Sequence, residues 1–169
     1  MTTDDDRVGR HGVLSANRLE RSQIGDDSLL VALEYYWNDL RGERRMPSSS
    51  EINPLEIGTA LLPWIFLLDV IEDAGSRDYF YRLAGTSNVE LVGRDPTGRL
   101  ASDVFGSEDR KFMMATFDAT VDEIGPTYWN AEVPQKKYDV VWVIRGLFQL
   151  GQSDIRVERL ICIAVPEGS

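Results

Sequence analysis

The stretch YRLAGTSNVELVGRDPTGR, residues 81–99, sets Gly85, Gly93 and Gly98 among small and charged side chains, directly behind an apolar run. Glycine-rich turns behind strands hold phosphates when they follow the G-x-G-x-x-G or G-x-x-x-x-G-K-[ST] spacing. Here the glycines stand eight and five residues apart and no lysine follows, so neither signature is met. Gly85 then reads as the end of a strand, and Gly93 and Gly98 as points of positive backbone angle. Thr86, Asp95 and Thr97 read as local caps and turn formers.

The other residues able to do chemistry are sparse. His11 is the single histidine, in a polar N-terminal stretch, and Cys162 is the single cysteine, inside an apolar run where a buried thiol is expected. A Ser-His-Asp or Cys-His site would have to recruit His11. Zinc lacks nitrogen and sulfur ligands, and haem iron lacks an axial one. Glu108, Asp109, Asp118, Asp122 and Glu123 cluster near one helical segment, but helical phase sends most of them to a solvated face. No enzymatic activity, metal or evident cofactor is therefore expected. A net charge of −10, from 28 acidic against 18 basic residues, works against a polyanionic partner. Nucleic acid is not expected, the Arg41–Arg45 cluster being the only local exception.

A lone cysteine excludes an intrachain disulfide and suits a reducing compartment. The N-terminus has no apolar signal core. The longest apolar stretch, ALLPWIFLLDVI, is interrupted by Pro63 and Asp69 and falls short of the roughly 20 residues of a membrane span. A cytoplasmic protein is the expectation.

Patterning then places the elements. Residues 1–25 show no sustained periodicity and read as a flexible tail, and 26–166 as one domain of a size that buries most of its apolar surface. Asp26 or Asp27 caps a helix whose Leu29, Leu30, Leu33, Tyr36, Trp37 and Leu40 share a face, with Gly42 past its end. Asn53 caps a second start, with Pro54 in the first turn. WIFLLDVIED and YFYRLAG flank the turn DAGSR as a hairpin. Short helical turns follow, then a helix over about 109–124 that turns Phe112, Met113, Phe117, Thr120 and Val121 inward and stops at Gly125-Pro126. TYWNAEV, DVVWVIRGLFQL and IRVERLICIAV complete the strands. The class is α+β: a five-stranded antiparallel sheet with helices over one face and an N-terminal helix.

The segments YYWNDLRGERRMPSSSEINPLEI, LLPWIFLLDV and YRLAGTSNVELVGRDPTGR resemble a family of small bacterial single-domain PAS proteins. The shared pattern falls on Tyr36-Trp37, Leu40-Arg41-Gly42, Met46-Pro47, Asn53-Pro54, Leu67-Leu68-Asp69-Val70, Arg82-Leu83, Gly85-Thr86, Gly93, Asp95 and Thr97-Gly98. It is dense over 28–100 and thins beyond, and Asn53 stands where an aspartate is usual. The resemblance implies a sheet of strand order 2-1-5-4-3 and a sensory or regulatory module that signals through a small ligand, a partner protein or both. With no output domain after the fifth strand, the signal is expected to pass to an unidentified signalling protein. The resemblance brings no catalytic residues. Haem and covalent flavin are not expected, since the insert lacks the flavin-reactive cysteine motif.

On that footing Tyr81, Leu83, Phe105, Phe112, Phe117, Trp129, Trp142 and Ile144 are candidates for lining a cavity for a small apolar ligand, against the plainer reading that they fill the core. The stripe Leu30, Leu33, Tyr36, Trp37 and Leu40 must bury against the sheet's outer face or against a second copy, and a homodimer is expected. The alternatives are a packed interaction domain without ligand, and a small-molecule enzyme built on the same sheet.

Overall fold

A computed structural model describes residues 15–135, 139–152 and 154–169. In chain order it contains β1 (Ser15–Leu19), α1 (Leu29–Arg41), α2 (Pro54–Ile57), β2 (Ile65–Asp73), β3 (Ser76–Ala84), α3 (Thr86–Val92), α4 (Ala101–Val104), α5 (Ser107–Asp122), β4 (Thr127–Pro134), β5 (Val140–Leu150) and β6 (Arg159–Pro166). The strands form one antiparallel sheet in the order β1-β4-β5-β6-β2-β3. Without β1, this is the order expected for five strands. Among the described residues, no helix is long and apolar enough to cross a membrane.

The sixth strand corrects the expected tail. Ser15–Leu19 pairs with β4 from Ser15↔Glu132 to Leu19↔Tyr128. A strand edge left open would expose a row of unpaired amides and carbonyls, and main-chain pairing satisfies them without any apolar pattern in the added segment. Arg18 anchors the strand by an ion pair to Glu123 at 2.9 Å and by lying over the Trp129 ring. His11 lies outside the described residues.

Local chemistry explains most boundaries. Ser28, rather than Asp26 or Asp27, caps α1, its hydroxyl accepting from the Leu30 amide. Asn53 caps α2 with Pro54 in the first turn, as the sequence predicts. Gly42, Gly93 and Gly125 take positive φ where their helices end.

The sheet is covered on both faces. On the outer face Leu30, Leu33 and Trp37 of α1 are fully buried against the chain's own strands, with Tyr36 and Leu40 half-buried beside them. Gly146 on β5 lets α1 approach: a Cβ there would stand 2.9 Å from Leu30 Cγ. The apolar stripe is thus largely used within the chain. On the inner face α5 presses Met113, Phe117 and Thr120 onto the sheet, and Phe117 stacks on Tyr79 at 4.9 Å. Phe112 corrects the expected inward stripe of α5. It is 41 % exposed because it lies about 100° around the helix from Met113.

Two positions on the hairpin side of the sheet generate predictions. Gly85 opens α3 where its backbone crosses the turn before β2, so that a Cβ would meet the Pro63 carbonyl oxygen at 2.3 Å. Backbone cannot swing aside as a side-chain tip can. Gly85→Ala is expected to lose about 1–3 kcal/mol of stability, read from urea midpoints.

Asp69 receives hydrogen bonds from Arg82 of β3 and, at 2.7 Å, from Arg159 of β6, so it ties β2 to both neighbours. Burial disfavours its charge, but the two arginines outweigh that and hold the carboxyl below its ordinary value. A depressed carboxyl stabilises the fold above its unfolded pKa and loses that contribution as pH falls through the folded one. Asp69→Asn should therefore cost about 1 kcal/mol at neutral pH. The gap to wild type should close as midpoints are measured at pH values falling progressively below the ordinary aspartate range.

Candidate functional site

The inner face carries a cavity of about 80 Å³ between the sheet and α3. Its floor is built by alternation along the strands. Phe66 on β2, Tyr81 and Ala84 on β3, Val143 and Arg145 on β5 and Ala164 on β6 share the face that looks toward α5. Val89 and Val92 of α3 form the roof, while Phe105 and Met113 close the side next to α5. Nearly all of this wall is hydrocarbon.

Helix α3 is held over the cavity by polar ties at each end. Asn88 donates to the Trp64 carbonyl at 2.5 Å, and Gln135 donates to the Leu91 carbonyl at 2.7 Å. The chain then turns through Gly93 and Gly98, both at positive φ, with the Asp95 carboxylate accepting from the Thr97 amide. The opening glycines are joints of this roof.

Of the expected lining residues, Tyr81 and Phe105 lie on the cavity wall. Phe117 is fully buried beside it, against Tyr79. Trp129 shares the inner face but sits at the β1 end, its Nε1 donating to Thr127. Phe112 points outward from α5. Trp142 and Ile144 occupy the outer face, because they alternate with Val143 and Arg145.

Leu83 goes outward for a different reason. Leu67 pairs with Leu83 and the next residue, Leu68, pairs with Tyr81, so Arg82 is an extra residue, a β-bulge. The bulge breaks the two-residue period, turns Leu83 to the outer face at 41 % exposure, and brings Ala84 into the cavity instead. The Gly85 that follows is the one hint of such irregularity in the sequence.

Arg145, inside the expected strand DVVWVIRGLFQL, is a residue to which sequence reasoning gives no role. It is 3 % exposed. Its Nη1 donates to Thr116 Oγ1 at 3.2 Å and reaches Met113 Sδ at 3.7 Å, and its guanidinium lies 5.7 and 5.6 Å from the Phe66 and Phe117 rings. Burial pulls its pKa down, opposed only by weak coupling to Cys162 and Tyr81. The same burial pushes the Tyr81 phenol up, with Arg145 working the other way.

The acidic residues near α5 divide. Asp118 and Asp122 pair with Arg77, and Asp118 also accepts from the Tyr79 hydroxyl at 2.6 Å. Asp109 corrects the expectation of a solvated face, being 6 % exposed and close enough to Arg94 to favour its charge. The side chain of Glu108 lies outside the described residues. Cys162 is wholly buried, and burial pushes its thiol up to about 12, which leaves it un-ionised at neutral pH. Among the described residues no three His, Cys, Asp or Glu side chains gather closely enough to hold a metal ion.

The family model for the PAS domain matches residues 26–143. No curated protein and no solved structure matches the chain.

Arg145 gives this site its testable property. Among the described residues no carboxylate meets its guanidinium; a desolvated cation so placed costs folding energy, and an apolar side chain of similar length removes that cost. Arg145→Met is expected to be at least as stable as wild type, gaining up to about 2 kcal/mol. Thermal and urea unfolding of the two proteins compare them directly.

Proposed function

The chain belongs to the PAS domain family, and from that membership we propose that it is a sensory module whose input is a small, mainly apolar molecule taken up beneath α3. PAS domains are in general sensory and interaction modules, and the sheet-and-helix architecture here is consistent with one. The observation that carries the finer reading is the cavity under α3. A pocket with hydrocarbon walls and a few polar groups is the usual form of a small-molecule site.

Size sets how such a site would work. A cavity of about 150 Å³ admits benzene, and this one holds about 80 Å³. A ligand larger than a few heavy atoms has to lift the roof. The two ties of α3, Asn88 to the Trp64 carbonyl and Gln135 to the Leu91 carbonyl, are the bonds such a movement would strain. Displacement of residues 86–98 is then the output, offered to a partner protein in the reducing interior of the cell.

Ala164 at the cavity floor provides the test. Ala164→Leu fills the space with hydrocarbon. Native mass spectrometry of wild type is expected to show a retained small molecule, and the variant should lose it while staying folded. Ligand-loaded wild type should also show altered hydrogen exchange confined to the amides of 86–98. No retained mass, together with no stabilisation by a library of small fragments, would favour an interaction domain that signals without a ligand.

A further inference from the structure

Arg145 on the cavity wall pairs with no carboxylate among the described residues. The ion pairs found among the described residues join arginines other than Arg145 to an aspartate or glutamate, as Arg77 to Asp122 and Arg159 to Asp69. Arg145 has only neutral neighbours: a threonine hydroxyl, a thioether and two aromatic rings. Both of its hydrogen bonds leave from Nη1, so Nε and Nη2 donate to nothing among the described residues. Tyr81 lies on the same wall.

Ring faces offset part of the cost of burying a guanidinium. They leave its remaining donors unsatisfied, however, and those donors form a planar fork suited to two acceptor oxygens at once. The surrounding surface, with Phe66, Val89, Val143 and Ala164, is mainly hydrocarbon; Asn88 and Arg94 also line it, and Asp109 favours the charge of Arg94. With Asp109 beside Arg94 and no carboxylate beside Arg145 among the described residues, Arg145 calls for one negative charge carried on hydrocarbon.

Resting on the reading of this cavity as a ligand site, we infer that its ligand is a monocarboxylate with a short apolar body. The carboxylate takes the free donors of Arg145 and the Tyr81 hydroxyl, and the hydrocarbon lies under α3. Arg145 is then a binding residue that also sets specificity. Its cost to the free protein is relieved when the anion arrives, so an acid is preferred over a neutral molecule of the same shape.

The test compares shapes that differ only in charge. Butanoate, hexanoate and benzoate are titrated calorimetrically into the full chain at neutral pH, each beside its own carboxamide. Wild type is expected to bind the acids at least about tenfold more tightly than the amides. Arg145→Met should bring the ratio to about one while still binding the amides, and Arg145→Lys should keep part of the preference. Equal binding of acid and amide by wild type overturns the carboxylate assignment and leaves the cavity standing as a ligand site. Binding of none of the six also overturns it, and the mass measurement on wild type and Ala164→Leu then decides separately whether the cavity holds a ligand at all. The wild-type comparison is decisive even if the arginine variants fail to fold.

Discussion

Gln149 joins the three layers of this protein at a single residue. Its main-chain carbonyl accepts from Trp37 Nε1 of α1 at 2.8 Å on the outer side of the sheet. Its side-chain amide donates to the Thr120, Glu123 and Gly125 carbonyls at the end of α5 on the inner side. The last carbonyls of a helix have no partner within it, and left buried they would cost more than an ordinary hydrogen bond contributes. With α5 stopped and anchored there, its inward stripe meets the sheet in one register. Strand β5, buried on both sides, is the axis on which that register depends.

The same strand explains why the cavity lies where it does. Arg145 shares the inner face of β5 with Gln149 and reaches the same helix through Thr116 and Met113. A guanidinium occupies the interface where two large apolar side chains would otherwise interdigitate, so packing is incomplete between β5 and α3. The neighbouring aromatic rings accept the cation's face without closing the space. Elsewhere the fold treats buried or half-buried charge differently. Asp69 is met by two arginines, Glu34 by Arg21 and the Tyr128 hydroxyl, and Asp118 by Arg77 and Tyr79. The contrast between these matched charges and Arg145 is what sets the cavity apart from ordinary imperfect packing.

Much of the framework is legible in advance because it depends on neighbours in sequence. Asn53-Pro54, Gly42 and Gly125 mark helix ends through backbone chemistry that acts within a few residues. The hairpin, α5 and the last three strands follow from apolar periods of two and 3.6. The spacing of Gly85, Gly93 and Gly98 is enough to set aside phosphate binding, and their role as joints around α3 agrees with that. Departures gather where a distant segment or one irregular residue takes over. Strand β1 forms because β4 has an open edge, which nothing within Ser15–Leu19 announces. Leu83 leaves the cavity because Arg82 is bulged, and an unbroken period of two cannot foresee that. Asp109, one of a run of acids that reads as solvated, is buried only because the fold brings the start of α5 close to Arg94.

By itself, then, the sequence determined the class of fold and the capacity of α1 to cover a sheet, since both rest on local propensity and hydrophobic period, while the order of the central strands came only through the family resemblance. Tertiary structure alone decided which side chains meet around one space. Trp142 and Ile144 belong to the outer face, and Arg145 and Val143 to the cavity, because α1 and α5 take opposite sides of β5, a choice that alternation leaves open. It also decided that Arg145 would be enclosed with no carboxylate beside it among the described residues, since which groups face a buried side chain depends on how distant elements pack.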